Sequence, residues 1–184
     1  INLLSKLGAT FLPNNKYTFP LKMISSGMPV GIEYKAGVSA QLKSAVLLAG
    51  LNSYGNTIIE EQIISRDHTE NLLMKNIQSI KIIKNKKKII KVKGKSYLNP
   101  LNLNIGGDPS SAAFFAALTL LNKNSTLKIK NVGLNPTRTG FYDILKKQKV
   151  KINFKNIIKD NNEIRGDILI KSSKLKPMNV PASL

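Results

Sequence analysis

The chain has 184 residues, 42% of them hydrophobic, no cysteine, and a formal charge of +19. That length builds one large domain or two small ones, and the lack of cysteine excludes disulfides and thiolate metal sites, as fits a cytoplasmic protein. No apolar run approaches the ~20 residues that span a bilayer, and INLLSKLGA lacks the charged and long apolar segments of a secretory leader, so a soluble protein is expected.

INLLSKL reads as a helix running into a strand at ATFLP, as though the chain begins in the middle of a repeating unit. Short strands follow at FPLKMIS and GIEYK. Ser39 then caps the apolar helix AQLKSAVLLAGL, and TIIEE is a strand. In SRDHTE, Asp67 opens a second helix, HTENLLMKN, with Asp67 and Glu70 at the spacing of a capping box. QSIKII and KIIKVKG form a lysine-rich hairpin, and LNLNI reads as a further strand. Asp108 caps the next helix, with Pro109 at its first position and SSAAFFAALTLL as its body. TLKIKNV (strand), TGFYDILKKQK (helix), KINF and EIRGDILI (strands) complete the series.

This order contains an internal repeat. Shifting the sequence by 69 residues lays Ser39 on Asp108, Ala45 on Phe114, Asn56 and Thr57 on Ser125 and Thr126, and Glu70 on Thr139. Each copy runs from a capped apolar helix through a turn and a strand to a polar elbow and a second amphipathic helix. Alternation of helices with strands argues for an α/β or α+β architecture.

The positive charge raises nucleic acid as a partner. Only Arg66, Arg138 and Arg165 are arginines among the 29 basic residues, and the lysines recur beside Ile and Asn, as in proteins from AT-rich genomes. In the densest run, Lys81 to Lys95, no aromatic residue interleaves to stack on bases. The run therefore reads as a solvated hairpin surface rather than a nucleic-acid patch.

Ser39, Ala40 and Gln41 stand at a helix start, where unpaired N–H groups and the positive end of the helix dipole favour an anion. Arg66 lies in the loop before the next helix start. The plainer readings are an ordinary N-cap for Ser39 and a surface salt bridge to Asp67 or Glu70 for Arg66. His68, the only histidine, falls in the first turn of a capped helix and is read as structural rather than as a general base. Asp108 is read as a cap rather than a catalytic acid. No P-loop, His/Asp metal cluster or Ser-His-Asp arrangement is present.

Four stretches in this order, GVSAQLKSAVLLAG, SRDHTE, GGDPSSAAFFAAL and NVGLNPTRTG, resemble the 5-enolpyruvylshikimate-3-phosphate (EPSP) synthase family, in the bacterial branch that writes SAQ and SRDHTE. The related transferase that acts on a UDP-sugar shares the fold but is not expected to carry SRDHTE or GDPSSAAFF. The resemblance implies an inverse α/β barrel built of βαβαββ repeats in two lobes, incomplete here. Residues 1–104 would form part of the first lobe and 105–184 the start of the second.

The family's chemistry moves the enolpyruvyl group of phosphoenolpyruvate to the 5-hydroxyl of shikimate-3-phosphate, with no organic cofactor and no metal. By resemblance, the Ser39 hydroxyl and the adjoining backbone N–H groups of the helix start at Ser39, Ala40 and Gln41 would hold the phosphate of shikimate-3-phosphate. Gln41 would reach both substrates, and Arg66 would pair with the phosphorylated one. Arg138 resembles a structural position. The family's catalytic groups are expected outside these residues, with VPASL stopping short of a catalytic Asp. The chain is thus read as a fragment without activity of its own, from a parent that is monomeric and binds neither membrane nor nucleic acid. Exposed apolar faces on the INLLSKL and SSAAFFAALTLL helices would follow. The contrasting reading is a noncatalytic basic module that binds polyanions through Lys81 to Lys95.

Overall fold

A computed structural model describes residues 1–14, 17–76 and 79–180, without the side chains of residues 75 and 76. They fall into two units, Ile1–Leu101 and Asn102–Leu184. Residue 78 of the expected strand at 78–83 and the closing residues 181–184 lie outside the described residues.

In the first unit, helix α1 (Asn2–Lys6) leads into strand β1 (Thr10–Leu12), which pairs antiparallel with β2 (Lys22–Ile24). There follow β3 (Glu33–Ala36), α2 (Ala40–Asn52), β4 (Asn56–Glu61), α3 (His68–Asn76), β5 (Ile80–Lys84) and β6 (Lys88–Lys93). The sheet order is β3-β4-β6-β5, with β3 parallel to β4 and the other pairs antiparallel. This is one βαβαββ unit.

Period-two alternation decides which face is buried. Thr57, Ile59 and Glu61 of β4 point inward, as do Lys88, Ile90 and Val92 of β6. Val46, Leu47 and Leu51 of α2 pack on Ile59, Ile90 and Val92, joined by Leu73 of α3. Gly50 allows α2 to lie close on β4, since a Cβ there would stand 2.8 Å from Thr57 Oγ1.

The lysine run forms the β5–β6 hairpin. Lys81, Lys84, Lys86, Lys87, Lys91, Lys93 and Lys95 are exposed, as expected of a solvated surface, and Lys87 pairs with Glu60. Lys88 departs from that expectation: its inward strand position places it in the interior.

The second unit has α4 (Pro109–Leu121), β7 (Thr126–Gly133), α5 (Gly140–Lys147), β8 (Ile152–Asp160) and β9 (Glu163–Lys171), with sheet order β7-β9-β8. That order reproduces β4-β6-β5, so the sequence repeat is a structural one. The strand expected at LNLNI does not form. A strand needs a partner ladder, and the only parallel bridge in this stretch of the described residues joins Gly107 to Val132.

Two bulges distort this sheet, where Asn131 and Asn156 adopt φ of 51° and 50° beside register shifts in β7 and β8. Asp167 of β9 lies between them, accepting from Asn131 N–H at 3.0 Å and Asn156 Nδ2 at 2.8 Å, with Lys128 Nζ at 3.0 Å. These donors hold its carboxyl down at about 2, the Asn131 N–H contributing most.

The core of this unit gathers Ala112, Ala116 and Leu120 of α4 with Tyr142, Ile168 and Ile170. Tyr142 is fully buried and donates its hydroxyl to Pro109 O at 2.8 Å, tying α5 to the start of α4. Burial, with the nearby Asp108 charge, pushes its phenol up to about 12. Tyr142→Phe should cost about 1 kcal/mol, read as a lower urea midpoint at unchanged slope; an unchanged midpoint would show that the bond contributes nothing net.

Phe114, Phe115, Leu118 and Leu121 on α4 are exposed, matching the expectation for that helix. On α1, Leu3 and Leu4 are half-buried and Leu7 just beyond it is buried, so its apolar face is covered more than expected.

Candidate functional site

Strands β3 and β4 run parallel and in register, with Ala36 opposite Glu61, and each feeds a helix from its C-terminal end. In sheets of this kind, ligands gather at the C-terminal ends of parallel strands, where helix N-termini converge. Ser39 is the N-cap of α2, with φ −84° and ψ 106°, and its hydroxyl accepts from Leu42 N–H at 3.3 Å. Ala40 and Gln41 are the first two helical residues; Ser39 and Ala40 are half-buried and Gln41 is exposed. Helix geometry leaves the first-turn N–H groups unpaired within the helix.

Arg66 lies in the β4–α3 loop at the same end of the sheet. It is exposed, and no hydrogen bond or ion pair to it occurs among the described residues. The salt bridges considered from sequence, to Asp67 or Glu70, are not formed. Its guanidinium is available to an anion.

Beneath these residues lies a cluster that the sequence reading missed. Lys43 of α2, Glu61 at the end of β4, Glu70 of α3 and Lys88 of β6 are all buried. Lys43 Nζ is 2.8 Å from Glu61 Oε1 and 2.7 Å from Glu70 Oε1. Lys88 Nζ is 3.0 Å from Glu61 Oε2, as an ion pair without hydrogen-bond geometry, and donates to Glu70 Oε1 at 3.0 Å. Ser65 gives both its N–H and its hydroxyl to Glu61 Oε1, each at 2.7 Å. Burial opposes ionisation of Glu61, but Lys43, Ser65 and Lys88 together outweigh it and hold the carboxyl at about 2. Burial likewise opposes the Lys88 charge, and Glu61 and Glu70 overcome it, raising that ammonium above its ordinary value.

The cluster also corrects the capping box read at Asp67 and Glu70. Glu70 does not reach back to cap α3, because its Oε1 is held by Lys43 and Lys88, while Oε2 is buried without a partner. The start of α3 is fastened instead by Asn71, whose side chain reaches Asp67 Oδ1 at 3.4 Å, and by a 2.7 Å bond between the Thr69 and Ser44 hydroxyls. His68 is half-buried in the first turn. A signal for the cluster was present in strand parity: Glu61 follows Thr57 and Ile59 on the inward face, and Lys88 precedes Ile90 and Val92 on another.

The second repeat shows what an occupied version of the helix start looks like. Asp108, the counterpart of Ser39, caps α4 by accepting from Ser111 N–H at 2.9 Å and Ser111 Oγ at 3.0 Å. Arg138 pairs with the Asp108 carboxylate and donates to Ser110 Oγ at 2.9 Å. The α4 start therefore carries its own anion and its own arginine, consistent with structural roles for both. The α2 start has a neutral cap and an unpaired Arg66. Of these two helix starts, the one at α2 carries no anion of its own. Among the described residues, no group of three or more His, Cys, Asp or Glu side chains is placed to hold a metal, and no helix is long and apolar enough to cross a membrane.

The family model for EPSP synthase (3-phosphoshikimate 1-carboxyvinyltransferase) matches residues 1–183. The 3-phosphoshikimate 1-carboxyvinyltransferase of Thermodesulfovibrio yellowstonii is 42% identical over 186 residues, covering 100% of this chain and 43% of the relative. That of Sulfurihydrogenibium sp. is 40% identical over 189 residues, covering 98% of this chain and 44% of the relative. The solved EPSP synthase of Acinetobacter baumannii superposes with a TM-score of 0.81 at 34% identity, over 98% of this chain and 40% of that one. The chain thus has the fold of that enzyme and spans less than half the length of the relatives it matches.

Proposed function

The chain belongs to the EPSP synthase (3-phosphoshikimate 1-carboxyvinyltransferase) family, and from that membership we propose that it carries part of the shikimate-3-phosphate site of an enolpyruvyl transferase. The parent enzyme adds the 5-hydroxyl of shikimate-3-phosphate to phosphoenolpyruvate and eliminates inorganic phosphate, leaving the enolpyruvyl ether. The observation that carries this reading is the open helix start at Ser39 facing the same sheet end as the unpaired Arg66.

The roles follow from the groups. Ser39 Oγ and the N–H groups of Ala40 and Gln41 offer donors to a phosphate, and the helix dipole favours its charge. Arg66 adds a charge-assisted contact. The Gln41 amide reaches from the helix start towards phosphoenolpyruvate as well. None of these groups moves a proton in the reaction; the catalytic acid and base belong to the remainder of the enzyme, which uses neither metal nor organic cofactor. Residues 1–104 serve as part of one lobe and 105–184 as the start of the other. The parent acts as a cytoplasmic monomer.

Arg66→Ala in the full-length parent should weaken shikimate-3-phosphate binding by ~1.5–3 kcal/mol, seen in the dissociation constant by calorimetry with the melting temperature unchanged. Gln41→Ala should weaken use of both substrates, and Lys87→Ala, an exposed hairpin residue, neither. Unchanged binding in Arg66→Ala, together with loss of polyanion affinity in Lys87→Ala, would instead assign function to the basic hairpin.

A further inference from the structure

Burying four charges is a poor route to stability, because well-packed apolar side chains of similar volume usually do as well or better. The quartet of Lys43, Glu61, Glu70 and Lys88 is buried and balances two ammonium groups against two carboxylates. Its position suits another task. Lys43 sits one helical turn after Ser39, its N–H bonded to Ser39 O at 3.2 Å. Ser65 immediately precedes Arg66. A single oxygen, Glu61 Oε1, receives Lys43 Nζ from the first segment and both donors of Ser65 from the second. Glu70 and the Ser44–Thr69 bond tie α3, which closes the Arg66 loop, to the same helix.

We propose that these four residues are positioning residues for the anion site: through Glu61, the quartet fixes the Ser39–Gln41 helix start and the Arg66 loop at one separation, so that a phosphorylated ligand engages both together. This inference rests on the function proposed above and adds the means by which its two halves are held. Because the quartet is neutral, it does not itself attract the ligand; Arg66 and the helix start do. What the quartet supplies is preorganisation, since flexible segments would have to be ordered at the moment of binding.

The test uses the full-length parent and compares Arg66→Ala, the charge-balanced double variant Lys43→Met/Glu61→Gln, and the combination of all three. The double variant removes one charge of each sign and keeps the Lys88–Glu70 pair. It should raise the KM for shikimate-3-phosphate about tenfold, with kcat changed less than about threefold. The combined variant should bind little worse than Arg66→Ala alone, because Arg66 no longer contributes once it is gone; two independent lesions would multiply. Lys43→Arg, which keeps the charge, should restore most of the affinity. If the double variant does not fold, Ser65→Ala leaves all four charges in place, removes one bond to Glu61, and should give a smaller rise in the same KM with the same non-additivity. Multiplicative effects, or an unchanged KM in whichever of these variants folds, would overturn the positioning role while leaving the proposed site intact. An Arg66→Ala variant that binds normally would overturn the site and this inference with it.

Discussion

Lys43→Met should destabilise the first unit by about 3–5 kcal/mol, because it strands two buried carboxylates on a single remaining ammonium. Lys43 is 0% exposed and contacts both Glu61 and Glu70, so its loss leaves a net negative charge in the interior. Against a typical stability of about 5–15 kcal/mol for a domain, that loss is a large share. Restoring the balance with Glu61→Gln in the same chain should recover most of it, since the remaining Lys88–Glu70 pair is then neutral. Urea denaturation followed by circular dichroism measures both. A Lys43→Met chain within about 1 kcal/mol of the parent would mean that the four charges are solvated in solution, as surface pairs are.

Acid should unfold the first unit by way of Glu61. Its carboxyl falls from an ordinary 4.5 to about 2 in the folded state, so the folded form binds the proton more weakly than the unfolded form. The associated stability is fully present above about pH 5 and is lost as the pH falls through 4.5 towards 2; a change of that size amounts to about 3 kcal/mol. Lys88 acts at the other end. Its raised value means that its contribution is present below 10.5 and is lost as the pH climbs through the folded value. The first unit should therefore be most stable between roughly pH 5 and 10. Urea midpoints at pH 7, 5 and 3 test the acid limb, which should be much flatter in Lys43→Met/Glu61→Gln. Equal acid sensitivity in that variant would assign the loss to other carboxylates of the same unit, among them Glu60, which the hydrogen bond from Lys87 holds below its ordinary value.

Local features of the chain announced much of the architecture. Ser39 and Asp108 cap the helices they were expected to cap, α3 covers the HTENLLMKN segment, and the two strand–helix series separated by 69 residues fold into sheets of matching strand order. Caps, turns and alternation depend on neighbours within a few residues, which is why they can be read in one dimension. LNLNI shows the limit, because its alternation is that of a strand but no partner ladder meets it.

The residue order alone carried the helix starts and the resemblance that singled out Ser39, Ala40, Gln41 and Arg66. Packing between distant segments set the β3 and β4 ends side by side, left Arg66 unpaired while Asp108 holds Arg138, and turned Glu70 inward to Lys43 and Lys88 rather than back to cap its helix. The reason is the reach of the interactions. A cap bonds three residues away, but Lys43 meets Glu61, and Lys88 meets Glu70, across 18 residues of sequence, so the identity of a buried partner depends on how distant segments pack together and is not encoded in the spacing of either one.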